Sequence, residues 1–208
     1  TIEQFILGAR RNGAIGFDVL YDMLSLPEYH IGLRKGLIPI YLAAAMHEYR
    51  QQLIIADKYG QLAMTADTLL QINANPSAFT LAYIDWDPQK EDFISTMAEV
   101  FSAYVIEAEK TANTYDFIVN AMKRWMLSLP KFAKESKTLP SGKRVDERYL
   151  GMMKLLRQNT SSYNLLFEKL PQTFGYDEFT PGMCENIQAA KDCFDGMIDR
   201  LKQSLSAK

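Results

Sequence analysis

The chain is poor in the residues that most often carry chemistry. Its 208 residues include two cysteines and two histidines. No CxxC pair is present, so the usual zinc-ribbon and redox spacings are absent. His47-Glu48 opens like a zinc-protease helix, but Gln51 stands where the second histidine belongs. His30 has no ligand partner nearby in the sequence. Neither a GxxxxGK[ST] loop nor a GxGxxG turn occurs, which removes the common nucleotide-binding fingerprints. Gly32-Leu33-Arg34-Lys35-Gly36 looks suited to phosphate but lacks the strand and lysine placement of a P-loop. With no GxSxG and so few bases, an activated serine or cysteine is not indicated. The acidic doublets Glu91-Asp92, Asp146-Glu147 and Asp177-Glu178 point roughly 100° apart on a helix, so each reads as a solvated edge rather than an acid–base pair. The expectation is a chain with no catalytic residue, no metal site and no cofactor.

Long apolar runs are missing too. The longest candidate, Leu37 to Met46, contains Pro39 and is far short of the roughly 20 residues that span a bilayer. No basic leader with an apolar stretch opens the chain. Cys184 and Cys193 stand nine apart in one helical pattern, about 13 Å along the axis and on opposite faces. They are expected to be free thiols, which favours a cytoplasmic setting. The first residue is Thr1 in a helical pattern, which suggests a module of a longer protein.

What the sequence does have is a clear change of period between Leu33 and Trp86. The third helix is expected from about Ile38, with Pro39 in its first turn. Leu53 to Ala56 reads as a strand, Asp57-Lys58-Tyr59-Gly60 as a turn, and Leu62 to Met64 as the returning strand. Thr65 suits the N-cap of a helix over Ala66 to Ile72. Phe79, Leu81 and Tyr83 mark a further strand. Two helical stripes precede this region: Ile2, Phe5, Ile6 and Ala9, then Phe17, Leu20, Tyr21 and Leu24. From Pro88 onward the pattern is helical. Stripes run through Phe93 and Met97, through Phe117 to Trp125, and through Ile187 to Leu205. Thr180-Pro181 is read as the start of one last helix. Ser128 to Arg144 looks like an exposed connection. The fold class expected is therefore mostly α: a winged-helix-like N-terminal unit with a small antiparallel sheet over 1–87, then a helical bundle over 88–208, with a basic connection at about 128–146.

The net charge of −2 conceals a strong asymmetry. Between Lys123 and Arg157 lie ten basic residues against three acids, a local charge of +7, so the rest of the chain carries −9. Residues 85–116 are acidic, with eight carboxylates against two lysines. Lys143, Arg144, Arg148, Lys154 and Arg157 could follow a phosphate backbone. Arg34 and Lys35 before the third helix, and Lys58 at the hairpin tip, could add to it. The same cations could instead keep a loop solvated or bind the acidic segment. The expected helix from Ile38 to Tyr49 carries no basic residue, so base readout by it is not expected. Beyond Phe132 no aromatic is interleaved with the basic connection, so stacking on single strands is weakly indicated.

The run Gly32 to Pro39, the hairpin after it, Ala66 to Ile72, and the later Tyr163-Asn164-Leu165-Leu166-Phe167-Glu168-Lys169-Leu170-Pro171 together resemble a known region. They resemble the winged-helix and helical region of large bacterial P-loop ATPases of antiviral defence and restriction-like systems. The resemblance covers about half of the chain and rests on no catalytic motif. It implies a non-catalytic module that binds or positions DNA through its backbone, next to a flanking ATPase domain. The NTPase residues of that family lie elsewhere, so none transfers here. The alternative is a protein–protein adaptor or regulatory domain with no nucleic-acid binding. Neither reading involves a membrane.

Overall fold

The computed structural model describes residues 1–112, 115–158 and 160–206. The chain divides into two compact units, Thr1–Trp86 with Lys110–Thr114, and Asp87–Glu109 with Tyr115–Lys208. It is mostly α-helical, with one small antiparallel sheet.

The first unit begins with α1 (Ile2–Asn12), which buries Phe5, Ile6 and Ala9. Gly13 ends it at φ 83°, a left-handed value that a side chain tolerates poorly. A two-residue strand, β1 (Ile15–Gly16), follows and leads into α2 (Phe17–Ser25), whose buried face is Phe17, Leu20, Tyr21 and Leu24. Helix α3 (Ile38–Glu48) starts with Pro39 in its first turn, where the missing N–H leaves no helical bond unmade. Strands β2 (Leu53–Asp57) and β3 (Gly60–Leu62) form the expected hairpin. Helix α4 (Ala66–Ala74) is capped by the Thr65 hydroxyl, which accepts from the Thr68 N–H at 3.2 Å. Strand β4 (Thr80–Tyr83) then pairs with β2, not with its predecessor β3.

The sheet order is β1-β4-β2-β3, antiparallel throughout. In register, Ile55 faces Leu81 on one side and Leu62 on the other, and Ile15 also pairs with Leu81. Leu53, Ile55 and Leu81 are buried, and their face packs into one cluster with the inner sides of α1, α2, α3 and α4. The strand β1 is the element that periodicity misses. Two residues between a helix stop and a helix start are too short to show alternation, and only pairing with β4 makes them a strand.

The second unit is helical. It comprises α5 (Pro88–Val100), the first turn of α6 (Glu107–Ala112), α7 (Asp116–Ser128), α8 (Lys131–Glu135), α9 (Glu147–Leu156), the turn α10 (Ser162–Asn164), α11 (Leu170–Phe174), α12 (Met183–Asp195) and α13 (Met197–Ser206). Asp87 caps α5, accepting from the Lys90 N–H at 2.9 Å. Its core is aromatic. Trp125 is fully buried and meets Phe101 and Phe194 edge-on. Phe93, Phe167 and Phe179 form a second group with centroids 5.1–5.8 Å apart.

Leu165–Lys169 is a wide π turn that ends one residue short of Pro171. A proline there has no N–H to donate and crowds the carbonyl one turn back, and the wider turn relieves both problems. The final helix is two helices, divided at Gly196, and begins at Met183 rather than at Pro181. Thr180 and Pro181 instead form the turn that leads in, their carbonyls accepting from Met183 and Cys184. Finally, residues 128–146 are not an open connection, as the next section shows.

Candidate nucleic-acid interface

The basic segment is anchored by apolar residues within it. Leu129 and Val145 are almost fully buried and Ala133 is completely so. Between these anchors the chain makes a short hairpin. The Val145 N–H donates to the Lys137 carbonyl at 2.9 Å, the Leu139 N–H to the Lys143 carbonyl at 2.7 Å, and Thr138 lies opposite Arg144. The turn is closed by the Gly142 N–H donating to the Leu139 carbonyl at 2.9 Å. Pro140 in second place and glycine in fourth suit a type I turn. Gly142 has φ 85°, which a residue with a side chain adopts only at a cost. The hairpin is thus a product of local turn chemistry and a single hydrophobic anchor.

The structure sorts the cations of this segment into two groups. One group is occupied. Arg124 grips Glu109 with two parallel bonds of 2.9 Å and gives a third to the Tyr104 carbonyl. The hydrogen bonds from Arg124 hold the Glu109 carboxyl below its usual range. Here a member of the acidic segment does bind the basic one. Asp146 caps α9 and pairs with Arg148 through Nε at 3.0 Å and Nη2 at 2.6 Å. Arg148 in turn keeps the Asp146 carboxyl low. Arg157 donates to the Lys134 carbonyl at 3.0 Å, and Lys134 to the Leu127 carbonyl at 3.1 Å.

The other group is available. Lys137, Lys143 and Arg144 on the hairpin, with Lys131 on α8 and Lys154 on α9, are exposed. Their side chains make no hydrogen bond or ion pair among the described residues. Lys137 and Lys131 were absent from the cations singled out above. The pairing that places Lys137 beside Val145 could have been read from Pro140 and Gly142, which fix the centre of the turn.

In the first unit, Arg34 and Lys35 are exposed around the 3-10 turn Lys35–Leu37 that leads into α3. Lys58 sits at the β2–β3 tip with Nζ 4.7 Å from the centre of the Tyr59 ring. Helix α3 has no charged residue between Gly36 and His47, and its outer side shows Leu37, Ile40 and Tyr41 at 42–65% exposure. It carries nothing suited to reading base edges. Instead it forms one wall of an apolar groove of about 510 Å³, lined by Pro39, Ile40, Ala43 and His47 opposite Met64, Ala66, Leu69 and Leu70. The groove lies in the first unit.

Among the described residues no group of three or more histidines, cysteines or carboxylates is placed to hold a metal ion. No described helix is long and apolar enough to cross a membrane. Cys184 and Cys193 are both free. No family model, no curated protein and no solved structure matches this chain.

Proposed function

We propose that the protein is a non-catalytic DNA-backbone-binding module, and that its principal contact is the hairpin Lys137 to Val145. One observation supports this reading most: Lys137, Lys143 and Arg144 project from an ordered, anchored hairpin while neighbouring cations are consumed by internal partners. Ion pairing within the fold lowers the charge available to a phosphate, so Arg148 contributes little, and Arg157, held on the Lys134 carbonyl, is less free to reach one than these three. Arg34 and Lys35 of the first unit add a separate sequence-independent contact. A flanking ATPase domain would supply any energy-dependent step.

The test is a titration of a labelled DNA duplex, read by fluorescence anisotropy across a salt series. Each phosphate contact contributes about −0.9 to the slope of log K against log salt, so three give a slope of roughly −2 to −3. Replacing Lys137, Lys143 and Arg144 together by glutamate is expected to abolish binding at low salt. Reversing Arg148 is a poorer test, because its guanidinium is already paired with Asp146 and a glutamate there would repel that carboxylate. Unchanged affinity in the triple variant removes the hairpin from the interface.

A second reading, a protein-binding adaptor, is favoured by the groove between α3 and α4. It predicts that Ile40→Asp and Leu70→Asp abolish capture of a protein partner while no duplex is bound at any salt concentration.

A further inference from the structure

We infer that the β2–β3 tip is a base-stacking contact, with Tyr59 receiving an unpaired nucleobase and Lys58 the adjoining phosphate. The inference rests on the nucleic-acid reading above and adds to it a preference for strands with unpaired bases.

Tyr59 is 78% exposed, the highest value among the exposed large apolar side chains of the chain. A lone exposed aromatic needs no explanation by itself. Three further observations give this one a purpose. The ring does no work for the fold: it lies against no other aromatic ring, and its hydroxyl has no hydrogen-bond partner among the described residues. Tyr21 and Tyr49 differ, giving their hydroxyls to Asn73 and Glu3. The turn that carries Tyr59 is also held by its own hydrogen bonds. The Asp57 carboxylate accepts from both the Tyr59 and Gly60 N–H groups, at 2.8 and 3.0 Å, and Gly60 takes φ 142° to close the hairpin. Holding a short side chain's acceptor on two backbone donors fixes the turn before any ligand arrives. Finally, the Lys58 ammonium covers one face of the ring at 4.7 Å, leaving the opposite face for a flat partner.

A nucleotide offers the two groups such a tip would recognise. Its base has a π face of any sequence, and its phosphate lies one sugar away from that base. Stacking on a preset aromatic is worth about 1–3 kcal/mol per base, or roughly 5- to 150-fold in affinity. The lysine serves both partners, attracted to the ring by its quadrupole and to the phosphate by charge.

The experiment uses the 208-residue chain. It measures binding of a fluorescein-labelled thymidine oligonucleotide and of an abasic strand of equal length and charge. Wild type is expected to prefer the thymidine strand. Tyr59→Ala weakens that strand about 5- to 150-fold and leaves the abasic strand unchanged, while Tyr59→Phe keeps the affinity. Lys58→Ala weakens both and lowers the salt slope by about one. The turn lies outside the core, so unchanged thermal unfolding of the variants is part of the expectation. If wild type binds both strands and Tyr59→Ala changes neither, or changes both equally, stacking is overturned and the backbone reading stands. If wild type binds neither strand nor duplex at low salt, the backbone reading fails and takes this inference with it.

Discussion

Single side chains hold this fold through bonds that substitution can test. Trp125 is completely buried, and its indole N–H reaches the Asp195 carboxylate at 2.8 Å, which also holds Lys191 at 2.8 Å. Removing the acceptor leaves a buried donor unpaired. Asp195→Ala is therefore expected to cost about 1–3 kcal/mol of stability, measured by urea unfolding. The two cysteines differ in the same way. Burial raises the Cys184 thiol to about 11, while Cys193 is only half-buried. A thiol reagent at neutral pH is expected to modify Cys193 first and Cys184 only on unfolding, counted by mass spectrometry against time. Their lack of a bridge was legible in their spacing; their difference in burial was not, because it depends on which face of α12 meets the core.

Elements show where periodicity suffices and where it fails. The stripes of α1, α2 and α7 lie on the faces that the sequence indicates, because each places large apolar groups at helical spacing against one partner surface. The cap of α5 was less visible, though its consequence is testable. Asp87 accepts from the Lys90 N–H at 2.9 Å and pairs with Lys90 Nζ at 2.6 Å. The hydrogen bond from Lys90 pulls its carboxyl below the ordinary value. A lowered folded-state value means the contribution is complete above the unfolded carboxyl range, near pH 4, and fades as the pH falls through the folded value. Asp87→Ala is thus expected to lower stability by about 1 kcal/mol at pH 7, with the gap to wild type closing in acid, as followed by circular dichroism. The hairpin from Lys137 to Val145 behaves differently. Its residues have no alternation to read, and its order comes from a proline, a glycine and one buried valine.

At the scale of the molecule, charge is the property with the widest reach. A +7 segment in a chain of net −2 attracts anions or its own acidic stretch, and here it does the latter through Arg124 and Glu109. Arg124→Lys cannot make the paired contact and is expected to loosen α6 from α7, visible as faster amide exchange in Glu107–Ala112. Such internal bonding is why a count of cations overstates how many side chains are free: about half of the basic residues between 123 and 157 already have partners.

The sequence by itself determined that the chain is mostly helical with a small antiparallel sheet, because helix and strand periods and turn residues act over a few neighbours. It also placed the hairpin tip and the Thr65 cap, which are equally local. Only the tertiary structure decided that β4 lies beside β2, that Ile15–Gly16 is a strand, and that α3 leaves an apolar side uncovered. It also decided which cations are spent. Arg124 and Lys143 look alike in sequence, but one is held by Glu109 on another helix and the other faces water. That distinction depends on where distant backbone carbonyls and carboxylates come to rest, a property of the folded chain and not of any window of residues.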